Sequence, residues 1–253
     1  MYEKNPSHAL RAASQFGCSS YAEKLRHNPK ELRMFTTSTM RIRPNFPENT
    51  LLKLLGVFYV CVWIVTAVNP VYPADWMLEN ILVILFLVGI VWTYKIFPLS
   101  DLSYLLMTAF LTLHAIGAHY TYAETPMGFW MQDWFGFSRN HFDRVVHFSF
   151  GLLMAYPIRE IFLRVAHTRG FFAYYLPFDV TLAFSGAYEI IEMLVAVLVS
   201  PDAGDAYLGT QGDIWDAQKD MGLAALGAVL CMVITAMIRS IRRKPHTPDY
   251  SAE

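Results

Sequence analysis

Apolar residues fall into six long blocks, at 51–68, 76–97, 102–120, 145–163, 171–199 and 221–238. A helix rises about 1.5 Å per residue and a bilayer's hydrocarbon core is about 30 Å thick, so about 20 apolar residues suffice to cross it. Each block therefore predicts a transmembrane helix. The breaks between them carry turn formers: Asn69-Pro70 and Pro73, Pro98, Pro126 and Gly128, Gly170, and Pro201 and Gly204. Pro157 and Pro177 lie inside or at the edge of blocks, where kinks are tolerated if neighbours satisfy the freed backbone groups. The pattern reads as an all-α polytopic bundle of six helices, occupying residues 50–240.

Composition agrees with the pattern. Of 253 residues, 55% are hydrophobic, 15% aromatic and only 16% charged, against roughly 25% charged in an ordinary soluble domain. A disordered chain, a coiled coil and a nucleic-acid-binding domain are excluded, and a net charge of −1 gives no field for polyanions. Three cysteines make no disulfide framework. Lys and Arg are unevenly shared between the connections. With a cytoplasmic N-terminus, 17 of the 20 basic residues lie inside and only Arg139, Arg144 and Lys219 outside, which predicts an N-in, C-in chain. Residues 1–49 are polar, lack a signal-peptide pattern and are expected to form a poorly ordered cytoplasmic arm. Translation from Met34 or Met40 would leave only a short basic head. Residues 241–253 read as a basic cytoplasmic tail.

Ionisable groups within spans cost about 2.5–3.5 kcal/mol each at a helix centre, so they usually face a bundle interior or a watery cavity. Here most gather at the outer ends of spans three to six: His114 and His119, Asp143 and His147, Glu189 and Glu192, then Asp213, Asp216 and Asp220. The inner halves carry little comparable. Asp143 and His147 are four apart and share a helical face, as do Glu189 and Glu192 at three apart and Asp216 and Asp220 at four. A carboxylate at that spacing can fix an imidazole's tautomer. If the helices form a bundle, these acids converge, and either protons or a cation must sit among them.

Local roles compete for several of these groups. Asp213 fits an N-cap beside Gly212. Asp143–His147 fits a structural hydrogen-bonded pair, and His114 a packed core residue. His114 and His119 lie about 140° apart around a helix, so they do not face one site together. His119, His141, Glu124 and Asp133 are expected at solvated ends or in loops, and the Trp and Phe residues of 128–134 in an interfacial belt.

No H-E-x-x-H, G-x-S-x-G or phosphate-loop motif occurs, and Cys61 and Cys231 have no ligand partner at metal spacing. Oxygen and imidazole ligands remain, a set that suits Mg²⁺, Mn²⁺ or Zn²⁺. The candidate metal ligands are Asp143, His147, Glu189, Glu192, Asp216 and Asp220, with His114 and Asp213 secondary. In an enzyme, His147 or Glu192 would act as general base and Asp143 would orient His147, on a lipid or lipid-linked substrate entering from the outer leaflet. The same pocket also fits a non-catalytic binding protein for a headgroup, drug or peptide. A proton-coupled transporter is a third reading, with Glu189 and Glu192 relaying protons.

Four stretches carry a resemblance: 114–122 (His-Ala-Ile-Gly-Ala-His-Tyr-Thr-Tyr), 140–151 (Asn-His-Phe-Asp-Arg-Val-Val-His-Phe-Ser-Phe-Gly), 188–192 (Tyr-Glu-Ile-Ile-Glu) and 209–221. In them the sequence resembles the YjdF-type family of bacterial inner-membrane proteins over about residues 50–240. More distantly it is similar to the VanZ-like proteins linked to glycopeptide resistance. Asp143-Arg144-Val145-Val146-His147-Phe148 follows their Asp-Lys-x-x-His-Phe. Glu189 and Glu192 fall where those proteins have Glu and Gln, and Asp216 and Asp220 where they have Asp and Asn. Acids at 192 and 220 in place of amides make the site implied here more anionic, and Leu223 stands where those proteins carry a glycine. The resemblance implies a membrane bundle and a shared polar site; it implies no particular reaction.

Overall fold

The computed structural model describes residues 49–199, 204 and 207–242. The chain divides into two units, Met1–Thr50 and Leu51–Glu253. The expected arm at 1–49 lies outside the described residues except for Asn49, and the expected tail does so from residue 243 onward. Among the described residues there are seven α-helices and no strand: α1 (Thr50–Ala67), α2 (Pro73–Ile96), α3 (Asp101–Tyr120), α4 (Pro126–Phe135), α5 (Phe142–Arg164), α6 (Phe172–Leu198) and α7 (Asp216–Arg242). A 3-10 turn, Tyr122–Glu124, precedes α4. Every helix but α4 is long and apolar enough to cross a membrane. Helices suit that task because each backbone N–H and C=O in hydrocarbon must find its partner within the segment.

The helices outrun the apolar blocks at their polar ends. α5 starts at Phe142 and α7 at Asp216, ahead of the blocks at 145 and 221, while α7 continues to Arg242 into what reads as tail. Hydropathy marks where hydrocarbon begins, whereas backbone hydrogen bonding sets where a helix begins. α4 is a second departure. Pro126 opens this helix at its first turn, where its missing N–H costs nothing, and Gly136 ends it in the left-handed region at φ +67°. Phe129, Trp130, Trp134 and Phe135 of α4 are exposed.

α5 is the central helix, packed against α3, α6 and α7; α7 also packs on α6, and α2 on α3. The α5–α7 crossing is close because both faces are small. Gly151 and Ala155 stand four apart on α5, Ala224 and Ala228 four apart on α7, and both Ala155 and Ala228 are fully buried. A Cβ on Gly151 would overlap the Ala224 carbonyl, and one on Gly227 the Phe148 carbonyl. With lipid tails as apolar as leucine, such backbone approach and its dispersion contacts hold membrane helices together. A buried cluster of Leu99, Tyr104, Met107 and Met154 fills one half of the bundle, where Glu160 accepts from the Ser100 backbone N–H at 2.8 Å and the Ser103 hydroxyl at 2.5 Å and pairs with Arg164. This half is less bare than its sequence suggests. Arg159 is buried there with its guanidinium 4.6 Å from the Tyr174 ring centroid.

Candidate functional site

The opposite end of the bundle holds the start of α2, α5 and α7 and the end of α3 and α6. Its loops are locked by side chains. Asn140, almost fully buried, donates from Nδ2 to the Thr125 carbonyl (2.9 Å) and accepts the Phe142 N–H on Oδ1 (3.0 Å). Its backbone N–H donates to Gln211 Oε1 (2.9 Å), and Gln211 Nε2 donates back to its carbonyl (3.0 Å). Arg139 forks onto both oxygens of Asp216, at 2.6 and 3.0 Å, and also donates to the Thr210 and Gly209 carbonyls. Arg144 reaches Asp213 at 2.5 Å and Asp216 at 3.2 Å. The buried Asp216 therefore faces two guanidiniums, with the bidentate geometry that offsets desolvation best.

Asp213 lies just ahead of α7. Its Oδ1 accepts the Trp215 N–H at 3.1 Å and its Oδ2 takes Lys219 Nζ at 2.6 Å. The Lys219 ammonium first, then the Trp215 N–H and the Arg144 guanidinium, hold its carboxyl well below the usual carboxylate range. Its bond to Trp215 closes the turn ahead of α7.

Inside this frame Asp143, Asp216 and Asp220 each bring a carboxylate oxygen within 4.8 Å of the other two. Asp220 is 1% exposed, and its Oδ1 has no hydrogen-bond partner. His147, one turn from Asp143 on α5, points Nε2 at Asp143 Oδ1 (3.6 Å) and at Glu189 Oε1 (3.4 Å), while Nδ1 sits 3.3 Å from Ser185 Oγ. The Ser185 hydroxyl hydrogen-bonds one ring nitrogen, and two acids stand within ion-pair range of the other.

A second polar group adjoins the first. Glu79 of α2 is buried, accepts the Tyr188 hydroxyl at 2.9 Å on Oε1 and turns Oε2 toward His114 Nε2 at 3.8 Å. His114 Nδ1 meets the Tyr122 hydroxyl at 2.7 Å. Tyr122 lies between the spans. Burial first, then the carboxylates of Glu79, Asp143 and Glu192, push its hydroxyl well above the ordinary range. Glu192, itself buried, is thus among the acids that act on Tyr122.

A cavity of about 430 Å³ links them, bounded by α2, α3, α5 and α6. His114, Tyr122, Asp143, His147, Ser185 and Tyr188 line its polar end, and leucine, valine and phenylalanine side chains line the rest.

Of the eight candidates read from the sequence, Asp143, Asp216 and Asp220 form the triad, and His147 and Glu189 stand beside it. Glu192 is buried one turn from Glu189 on α6, His114 belongs to the second group with Glu79, and Asp213 pairs with Arg144 and Lys219 ahead of α7. His119 turns away and meets the Thr66 carbonyl at 2.9 Å. Arg139, Arg144, Glu79, Tyr122, Ser185 and Tyr188 are members that the sequence reading did not single out. Two arginines in connections otherwise poor in basic residues, and one acid within the second apolar block, were the available signals.

The family model described as "Predicted membrane protein (DUF2238)" matches residues 51–240, a range containing every residue of both groups. "Inner membrane protein YjdF" of Escherichia coli (strain K12) is 38% identical over 183 residues, covering 71% of this chain and 87% of that protein. No solved structure matches the chain.

Proposed function

The chain belongs to the DUF2238 family of predicted membrane proteins, and from that premise we propose that it acts in the bacterial inner membrane on the head of a lipid or lipid-linked molecule. The name of its Escherichia coli relative supports the compartment. The placing of 17 of 20 basic residues on one side supports an N-in, C-in chain with its acid–imidazole chamber on the outer face.

The observation that carries the reading is the triad of Asp143, Asp216 and Asp220 beside His147, with a buried and unpartnered oxygen on Asp220. An isolated carboxylate in such a place is costly unless paired or bound to a metal. Arg139 and Arg144 serve Asp216, so the divalent cation we propose (Mg²⁺, Mn²⁺ or Zn²⁺) would be held chiefly by Asp143 and Asp220, with Asp216 fixed as the third oxygen donor and His147 and Glu189 at its edge. Such an ion polarises a phosphoryl or acyl oxygen and acidifies bound water. His147, beside Asp143 and Ser185 on the cavity wall, takes the proton from the attacking group, and the buried Glu192 is kept as the alternative acid–base group.

Metal analysis of the purified full chain tests this. The wild type should carry near-stoichiometric divalent metal, with Asp220→Asn losing it and Glu192→Gln keeping most of it. Metal no higher than in an unrelated membrane protein purified alongside would overturn the reading.

A further inference from the structure

The cavity has a side door. α2 and α6 both line it, yet they do not pack along their lengths; at the polar end the Tyr188 hydroxyl reaches across to Glu79. Beyond that bond the gap is flanked by Leu85 at 63% exposure and Phe184 at 59%. Leu85 lies about 18 Å along α2 from Pro73, and Phe184 about 21 Å along α6 from Leu198, at 1.5 Å per residue. Both figures fall near the middle of a hydrocarbon core about 30 Å thick. Whatever reaches the gap from outside at that depth is a lipid chain, because water and polar solutes are absent there. The interior walls match such a guest: Val83, Phe86, Phe110, Val146, Phe150 and Met154 are all apolar. The volume lies within the roughly 300–1,000 Å³ of small-molecule sites.

We infer that the chamber is filled from the side, one apolar chain of a membrane lipid passing between α2 and α6 to lie against α3 and α5, its head meeting Asp143, His147, Ser185 and Tyr188. The inference rests on the proposed function for the chemistry at the head, but the seat of the chain stands on the cavity alone. It makes the substrate a membrane-resident amphiphile and excludes a water-borne solute. The acids at the polar end, with Arg139 and Arg144 already committed to Asp213 and Asp216, favour a head that is cationic or that arrives with a metal ion.

The test is photolabelling of the full chain in vesicles that contain phosphatidylethanolamine with a diazirine in one acyl chain, followed by mass-spectrometric mapping. α5 is surrounded by α3, α6 and α7, so bulk lipid does not touch its inner face. Label is expected on Val146 and Phe150 of α5 and on Phe110 of α3, in addition to outward residues such as Leu85 and Val57. Ala187→Trp, and independently Leu85→Trp from the opposite wall, should lower the α5 label several-fold and leave Val57 unchanged; size-exclusion profiles show whether each variant is folded. Label confined to outward residues, or α5 label indifferent to both folded tryptophan variants, would overturn the inference. Metal analysis of the same wild-type preparation separates the two proposals. Metal absent with α5 still labelled removes the cation and keeps the side entry, whereas metal bound with α5 unlabelled does the reverse.

Discussion

Replacing Gly151 by alanine puts the helix crossing and the site to one test. The new Cβ would stand 2.7 Å from the Ala228 nitrogen and would overlap the Ala224 carbonyl more deeply. Comfortable contact between such atoms begins near 3.5 Å, so α5 and α7 must part by about 1 Å or more. The obstacle is backbone, which has no rotamer to change, so the cost belongs at the upper end of the ~1–3 kcal/mol typical of overpacking. For a chain of this size that corresponds to a fall of about 6–12 °C in the unfolding midpoint. Gly56 and Gly89 supply the control, since a Cβ on either meets nothing within 4 Å; alanine there should leave the midpoint unchanged or raise it, glycine being the poorer helix former by about 1 kcal/mol. The assay is thermal unfolding of the detergent-purified variants followed by intrinsic fluorescence. Because Asp143 rides on α5 and Asp220 on α7, Gly151→Ala should also weaken binding of the divalent metal proposed above. A midpoint within about 2 °C of Gly56→Ala would refute the close crossing as the element that sets the site.

Two further outcomes follow from the arginine frame. Arg139→Ala leaves the buried Asp216 with Arg144 alone and should destabilise by about 3 kcal/mol, the low end for breaking a buried pair, while Arg139→Lys recovers only part because an ammonium cannot make the fork; equilibrium unfolding of both variants checks this. His141, between the spans, has its imidazole pKa lowered by burial first and then by Arg144 and Arg139. Its contribution to stability is present above the unfolded value of about 6.5 and is lost as pH falls through the folded value, so the unfolding midpoint should drop from pH 7 to pH 5 and drop less in His141→Gln. The Asp213 carboxyl is also shifted downward, but from a carboxylate's lower starting value, so its contribution persists over that whole range and is lost only in strong acid.

The six spans were legible because hydrocarbon thickness imposes a length and a composition that no other requirement blurs. The ends of α5 and α7 were not, since their first turns are polar, and α4 was hidden because Pro126 and Gly128 signal a break as readily as a helix start. The site was half legible. Asp143, His147, Glu189, Asp216 and Asp220 announce themselves by falling at one end of separate apolar blocks at helical spacing. The 140° offset of His114 and His119 forecast their separation, and the structure turns them to different partners. Arg139 escaped notice because its partner Asp216 lies 77 residues away and a folded loop brings them together. Glu79 escaped because its partner Tyr188 lies 109 residues away and only the packed bundle brings them together.

Cross-linking of paired cysteines in native membranes addresses the convergence itself. In a chain freed of Cys18, Cys61 and Cys231, Asp143→Cys with Asp220→Cys should be bridged rapidly by a short bifunctional thiol reagent, and Asp143→Cys with an outward Val229→Cys should not. Equal and slow bridging of the two pairs would mean that the acids of α5 and α7 do not meet in one chamber.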